Sequence, residues 1–166
     1  MIGNAIFDLD LTLVNTTILE PYRRSRDWQN VYNSIGKCFL YEGVSSVFQF
    51  IRQNNIKVCI VSTAPGTYIK KVVDYFHIPC DYIVGYHDAA PIKPAAAPMI
   101  KALQLLECEP ADAVSFGDRA IDIQSSQKAG IKAIACTWGT KEKELLLNSG
   151  PDVVINSPVE IIEILK

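Results

Sequence analysis

Two carboxylates stand one residue apart near the start of the chain, in the stretch AIFDLDLTLVNT. Asp8 and Asp10 directly follow an apolar run over residues 2–7, which is typical of a buried strand. Side chains alternate along a strand, so Asp8 and Asp10 can share a face while Leu9 turns toward the core. Like charges in such a place repel each other and lose hydration, so they need a neutralising partner.

Further polar residues follow the other predicted strands or precede helices. Ser62 and Thr63 end the run VCIVST, Asp118 follows an apolar run over 113–116, and Asp122 comes four residues later. Lys93 stands just ahead of a predicted helix. Because ligands bind outside the carboxyl ends of parallel strands, we expect all of these side chains at one edge of one sheet.

Such a cluster favours phosphoryl chemistry assisted by a metal ion. Converging carboxylates without Cys or His ligands suit a hard cation, above all Mg²⁺, which usually shares its shell with a phosphate. Lys93 could neutralise developing charge and Ser62 could hydrogen-bond a phosphoryl oxygen. The helix that follows Gly66 could add backbone N–H donors.

The elements that must position these residues alternate between strands and helices. Strands are predicted at 2–7, 57–62, 82–84, 113–116, 133–137 and 153–155. Helices are predicted at 44–51, 69–76, 99–106, 119–129, 141–148 and 158–165. This alternation predicts an α/β fold with a doubly wound, Rossmann-like parallel sheet and helices on both faces.

One segment interrupts the alternation. Residues 14–42 contain no clear strand, but Trp28, Val31, Tyr32 and Ile35 are spaced as on one face of a helix. We therefore predict a single domain over residues 1–166, with a short helical insertion after the first strand at about 14–42.

The composition argues against some partners and compartments. The net charge is −2, which gives no indication of nucleic-acid binding, and no apolar run approaches the roughly 18 residues of a membrane span. The N-terminus lacks the pattern of a signal peptide. Five cysteines, an odd number without a CxxC pair, predict free thiols in a reducing compartment, hence a cytoplasmic protein.

Four ordered motifs carry a resemblance to a known family. DLDLT (8–12), VCIVST, KP (93–94) and GDRAID (117–122) resemble the motifs of the haloacid dehalogenase-like hydrolase superfamily. The later AGI (129–131) and TWG (137–139) resemble its phosphoglycolate-phosphatase-like branch. The match spans nearly the whole chain, and four motifs in order are far more specific than DxDxT alone.

The resemblance implies a role for each aspartate. Asp8 would be the nucleophile that forms an aspartyl-phosphate, and Asp10 the general acid that then acts as base. Asp8, the Asp10 backbone carbonyl and Asp118 would hold Mg²⁺, with Asp122 as a further ligand or support. The presence of Asp10 favours phosphoryl chemistry, since the dehalogenases of the superfamily lack it.

The resemblance also assigns the phosphate contacts and shows two departures. Ser62, with Thr63 beside it, and Lys93 would hold the phosphoryl group.

Leu11 stands where many members have glycine, which is a minor change. The insertion has only roughly 30 residues, too few for the family's usual helical cap. A reduced cap would leave the site open to a bulky phosphorylated substrate, or to closure by another subunit; the oligomeric state stays open.

We therefore predict a Mg²⁺-dependent phosphatase that hydrolyses a phosphomonoester. Two alternatives share the site: a phosphotransferase or mutase, and a non-catalytic phosphate-binding signalling or partner module. The short insertion counts against a mutase, and the order of the motifs differs from that of a receiver domain.

Simpler roles also exist for the individual residues. Asp8 with Asp10 could form a turn, Asp118 with Asp122 could be a charge pair at a helix start, and Ser62 could cap a turn. Lys93 could lie exposed in a loop. The arginines of YRRSRDW form either a solvated helix face or a contact with an anionic substrate; they are Arg23, Arg24 and Arg26.

Overall fold

The computed structural model describes residues 1–166, which form eight strands and eight helices. The strands are β1 (Asn4–Phe7), β2 (Val14–Asn15), β3 (Phe39–Leu40), β4 (Lys57–Val61), β5 (Tyr82–Val84), β6 (Ala113–Gly117), β7 (Lys132–Cys136) and β8 (Val153–Ile155). The helices are α1 (Glu20–Arg24), α2 (Trp28–Asn33), α3 (Val44–Gln53), α4 (Gly66–Phe76), α5 (Ala97–Leu106), α6 (Ala120–Lys128), α7 (Lys143–Asn148) and α8 (Glu160–Leu165). None of the helices combines the length and apolar character needed to cross a bilayer.

Six strands form one parallel sheet in the order β5-β4-β1-β6-β7-β8. The first strand of the chain lies inside the sheet, with Phe7 opposite Ile60 on one side and Phe116 on the other. The strand order runs outward in both directions from β1. This creates a topological switch point beside β1, the place where doubly wound sheets bind ligands.

Both faces of the sheet are buried, as the continuous apolar strands require. Alternate residues of one strand belong to different cores: Phe7 packs in the core under α3, α4 and α8, whereas Ile6 packs in the core under α5. A third small cluster joins α6 and α7 to β7. The predicted doubly wound sheet with helices on both faces is thereby confirmed.

The insertion at 14–42 corrects one expectation. The prediction that it lacks strands is wrong, because β2 and β3 pair antiparallel at its base, with Val14 opposite Leu40. Each of these strands has two residues, too few to give a readable alternation. The helix predicted from Trp28 is present as α2, preceded by the five-residue α1.

Candidate active site

The predicted site residues do meet at the carboxyl edge of the sheet. All of them except Lys93 border a polar cavity of about 570 Å³ beside the ends of β1, β4 and β6. Its walls include Asp8, Asp10, Ser62, Thr63, Asp118 and Asp122. Gly117 is needed where β6 ends, because a Cβ there would lie 2.3 Å from the Cβ of Asp122.

Three carboxylates form an acidic cluster. Asp8, Asp118 and Asp122 each place an oxygen within 4.8 Å of the others, and they are 9%, 1% and 4% exposed. Thr12 donates a hydrogen bond to Asp118 Oδ1 over 3.1 Å, whereas Asp118 Oδ2 is buried with no hydrogen-bond partner. A buried, unpartnered carboxylate oxygen is costly unless a cation is bound to it, so this donor set fits a metal ion.

Lys93 is a buried member of the site and not an exposed loop lysine. Its Nζ donates to Asp8 Oδ1 at 3.1 Å, to Asp122 Oδ1 at 2.7 Å and to the Val61 carbonyl at 2.7 Å. The residue is 4% exposed, and its amine reaches the acidic cluster that borders the cavity. Lys93 therefore balances the negative charge of two carboxylates, those of Asp8 and Asp122.

The protonation of the cluster follows from its burial and its crowding. Burial raises the pKa of Asp8, and the charges of Asp122 and Asp10 add to this effect, which Lys93 opposes. Burial also raises the pKa of Asp118, and the charges of Asp8 and Asp122 raise it further. Burial lowers the pKa of Lys93, but Asp122 and Asp8 outweigh it, so the amine is held charged.

Asp122 both caps a helix and supports the lysine. Its Oδ2 accepts a hydrogen bond from the Arg119 backbone N–H at 3.0 Å at the start of α6, and its Oδ1 accepts from Lys93. The simpler role of a helix-start carboxylate is thus present together with the site contact. Both oxygens of Asp122 thus accept hydrogen bonds, so neither is left without a partner. The residue therefore acts on the cluster mainly as a support for Lys93.

The side chain of Asp10 lies apart from the acidic cluster and is held by two hydrogen-bond donors and one ion pair. Thr16 Oγ1 donates to Oδ1 at 2.7 Å, the Tyr68 hydroxyl donates to Oδ1 at 2.5 Å, and Arg23 contacts Oδ2 at 3.2 Å. A contribution of Asp10 to a metal site would therefore come from its backbone carbonyl, which stays a prediction.

The residues after β4 form a turn that enters helix α4. Ser62 Oγ accepts a hydrogen bond from the Ala64 backbone N–H at 3.1 Å, so Ser62 shapes this turn while bordering the cavity. Thr63 lies beside it at the cavity wall, half-buried. Helix α4 begins at Gly66 after the extended Pro65, which borders the cavity, so the N-terminal end of the helix and its unpaired N–H groups lie at this end of the sheet.

The arginines of the insertion divide into different environments. The solvated-face expectation fails for Arg23, whose guanidinium lies 4.8 Å above the Tyr68 ring and contacts Asp10. Arg24 is exposed at the cavity wall, and Arg26 is exposed beyond the end of α1. A further ion pair, Lys141 to Glu20 at 2.7 Å, joins α1 to the loop after β7.

Two supports of the site were missed from the sequence. Tyr68 is fully buried in α4, where its position beside Ile69 in the apolar stripe resembles a core residue. The TWG segment anchors the chain after Asp10: Trp138 Nε1 donates to the Thr12 carbonyl at 2.9 Å. A Cβ on Gly139 would lie 2.1 Å from the Leu11 carbonyl oxygen, so only glycine fits there. The TWG motif was the available signal for this second contact.

The parallel sheet with carboxylates and a lysine at its switch point defines a Rossmann-like α/β protein with a polar ligand site at the sheet edge. The family model described as haloacid dehalogenase-like hydrolase matches residues 19–136. The chain belongs to this family, which confirms the resemblance of its motifs.

Known relatives agree with this membership. The pyrophosphatase PpaX of Bacillus anthracis is 32% identical over 132 residues, which cover 76% of this chain and 59% of the relative. The chain spans about three fifths of the length of the curated relatives it matches.

Solved structures share the fold. CbbY from Rhodobacter sphaeroides, in complex with phosphate, has a TM-score of 0.82 at 18% identity, with 97% of this chain and 96% of CbbY covered. A predicted phosphoglycolate phosphatase from Haemophilus somnus has a TM-score of 0.84 at 18% identity, with coverages of 99% and 98%. At such identities the likeness concerns the fold.

Proposed function

We propose that the protein is a Mg²⁺-dependent phosphatase that hydrolyses a phosphomonoester through an aspartyl-phosphate on Asp8. The observation that carries this proposal is the acidic cluster: three converging carboxylates, a buried lysine bound to two of them, and one buried oxygen without a partner. Membership of the hydrolase family supports it. The organisation as one domain over 1–166, with a reduced cap at 14–42, is part of the same proposal.

The donor set fits magnesium. All three side chains offer carboxylate oxygens, and no His or Cys belongs to the cluster. Asp8, Asp118 and the Asp10 carbonyl would hold the ion, and Asp122 would support them through Lys93. When bound, Mg²⁺ would balance the charge of the carboxylates and of the phosphoryl oxygens.

The chain's own residues would then perform two displacements. A carboxylate oxygen of Asp8 attacks phosphorus, the bond from phosphorus to the leaving oxygen breaks, and Asp10 gives that oxygen a proton. Asp10 next takes a proton from water, whose oxygen attacks phosphorus and releases Asp8 and orthophosphate. Ser62, Thr63 and Lys93 would bind the phosphoryl oxygens and stabilise their charge.

The names of the relatives support hydrolysis and suggest substrates to test. PpaX is named a pyrophosphatase, and a structural neighbour is named a phosphoglycolate phosphatase. Pyrophosphate and phosphoglycolate therefore belong in the test panel, next to larger phosphoesters such as nucleotides and phosphopeptides, which a reduced cap would admit. We also propose a cytoplasmic location, which the five free cysteines support.

Phosphate release should depend on a divalent cation. We expect the purified protein to release phosphate from p-nitrophenyl phosphate with Mg²⁺, and EDTA to abolish this release because the carboxylates are then left uncompensated. Excess Mg²⁺ should restore it. Absence of release from every member of the panel, or release that EDTA leaves intact, would contradict the proposal. Product that forms only with an added acceptor alcohol would indicate a phosphotransferase instead.

The stability of the metal-free protein should fall as the pH rises. Burial and like charges raise the folded-state pKa of Asp8 to about 7 and that of Asp118 to about 9, above the ordinary 3.8. The folded state therefore holds more protons than the unfolded state across this interval. The resulting stabilisation is complete below pH 3.8 and is lost as the pH rises through the folded-state values.

Magnesium should counteract this loss, because it takes the place of the missing protons. At 100 times its dissociation constant a bound ion adds about 2.7 kcal/mol to the free energy of unfolding. Urea unfolding at pH 5.5, 7 and 8.5, with EDTA or with Mg²⁺, measures both effects. We expect a larger gain from Mg²⁺ at pH 8.5 than at pH 5.5. An equal gain at all three values would contradict the assignment of the site.

A further inference from the structure

Asp10 is held by a set of donors that extends beyond the family motifs. Two hydroxyl groups, those of Thr16 and Tyr68, converge on Oδ1 at 2.7 and 2.5 Å. The guanidinium of Arg23 approaches Oδ2 at 3.2 Å. The carboxylate is thus fixed by residues from two elements, since Thr16 and Arg23 belong to the insertion and Tyr68 to helix α4.

We propose that Tyr68 and Arg23 are positioning residues that aim the Asp10 carboxylate, and that Oδ2 is the oxygen presented to the leaving group. This inference rests on the proposed phosphatase function, in which Asp10 gives up and takes back a proton. Oδ1 accepts two hydrogen bonds, which use both of its lone pairs. Oδ2 forms only the ion pair with Arg23, so it is the oxygen that stays open for the reaction.

Tyr68 is built to be a fixed donor. Its side chain is fully buried. Its ring contacts the Arg23 guanidinium, 4.8 Å from the ring centroid, and the indole of Trp28, whose centroid is 6.2 Å away. Burial and the charge of Asp10 both raise the pKa of Tyr68, so the phenol keeps its proton. The hydroxyl therefore donates its proton to the Asp10 carboxylate.

Arg23 is similarly constrained. About a quarter of its side chain is exposed (27%), and stacking over the Tyr68 ring restricts the orientation of its planar group. Burial lowers the pKa of Arg23, but the charge of Asp10 outweighs it and keeps the guanidinium charged. The two residues thus support each other and hold both oxygens of one carboxylate.

These contacts indicate what the short insertion does at the site. The segment is too small to form a helical bundle over the site, yet it delivers Thr16, Arg23 and Trp28 to the surroundings of Asp10. The ion pair between Glu20 and Lys141 joins the same segment to the loop after β7. The insertion thereby helps to hold the Asp10 carboxylate, which transfers the proton in the proposed reaction.

A purely structural role makes a different prediction. If the cluster served only to attach the insertion to the core, the packing of the Tyr68 ring would matter and its hydroxyl would not. Tyr68→Phe keeps the ring and removes only the donor to Asp10. The variant therefore separates positioning from packing.

The test compares two aryl phosphates of similar shape. Phenyl phosphate has a basic leaving group that needs a proton, whereas p-nitrophenyl phosphate has one that departs without much help. We expect Tyr68→Phe to lower kcat/KM for phenyl phosphate about 10- to 100-fold, a typical loss for impaired acid catalysis. For p-nitrophenyl phosphate, the same variant should lower kcat/KM less than about threefold. The parameter kcat/KM covers the steps up to departure of the leaving group.

Matched variants complete the experiment. Arg23→Met should show the same dependence on the leaving group, and Arg23→Lys should recover part of the loss. Tyr75→Phe removes an exposed hydroxyl from the same helix, and Arg26→Met removes an exposed arginine of the insertion; both should retain wild-type ratios. Equal losses for the two substrates, or no loss for either, would overturn the proposal. If Tyr68→Phe fails to fold, Arg23→Met decides the question.

A second readout does not depend on turnover. In a crystal structure of Tyr68→Phe we expect the Asp10 carboxylate to be rotated or divided between two conformers, with the backbone of β1 unchanged. A carboxylate that stays in place would overturn the positioning role. Failure of the wild-type protein to release phosphate would instead contradict the proposed function, so the two failures are distinguishable.

Discussion

Replacing Asp8 by asparagine is expected to lower phosphate release by about 10⁴-fold or more, because the nucleophile of the first displacement is lost. Asparagine has nearly the same size and still offers an oxygen to Lys93, which donates to Asp8 at 3.1 Å. The loss should therefore be chemical and not a consequence of unfolding. Steady-state release from p-nitrophenyl phosphate with saturating Mg²⁺ measures it.

The stability of Asp8→Asn provides an internal check. The substitution removes one of three buried carboxyl groups, whose crowding disfavours the charged forms, so the metal-free variant should unfold at an equal or higher urea concentration than the wild type. Asp74→Asn on helix α4, where the exposed carboxylate pairs only with Lys70, serves as the matched control and should keep full activity. Retention of wild-type turnover in Asp8→Asn would refute the assignment of the nucleophile.

The sequence predicted where the candidate site residues meet, but it did not predict the contacts that hold them in place. The reason is physical. Asp8, Ser62 and Asp118 directly follow buried strands, and the parallel arrangement of those strands brings their ends together. A local sequence pattern therefore predicts both the strand and the place of the residue that follows it. The same logic predicted the six strands of the sheet, with ends that differ by at most two residues.

Residues whose role depends on side-chain reach were less predictable. Tyr68 lies on the apolar stripe of α4, and nothing in the period of that stripe distinguishes a core phenol from one aimed at a carboxylate. Arg23 lies in a charged stretch that is typical of a solvated helix. Only the packing of the insertion on α4 turns its guanidinium toward Asp10. Such contacts are tertiary and leave no regular trace in the sequence.

The burial of Lys93 was also not predictable from local sequence patterns. It lies in a segment rich in proline and alanine, which is typical of an exposed loop, yet the residue is 4% exposed. A lysine at that depth is tolerable because Asp8 and Asp122 meet its charge and the Val61 carbonyl accepts a third hydrogen bond. Its burial is a consequence of the carboxylates, which approach it from distant parts of the chain.

This mutual dependence leads to the second large effect. Lys93→Met replaces the amine by an apolar side chain of similar length and leaves Asp8 and Asp122 without their cation. We expect the metal-free variant to lose about 3–5 kcal/mol in its free energy of unfolding, the usual cost of breaking a buried ion pair from one side. Activity should fall about 10²- to 10³-fold, since a positive charge near the phosphoryl group is lost.

Urea unfolding with EDTA and with Mg²⁺ distinguishes the two contributions of Lys93. A bound cation can balance the carboxylates in place of the amine, so Mg²⁺ should recover more stability in Lys93→Met than in the wild type. It should not recover the activity to the same degree, because the contact of the amine with the phosphoryl oxygens is absent. Lys101→Met, at an exposed position of α5, is the matched control. A loss below about 1 kcal/mol, the range of exposed ion pairs, would show that Lys93 does not hold the cluster together.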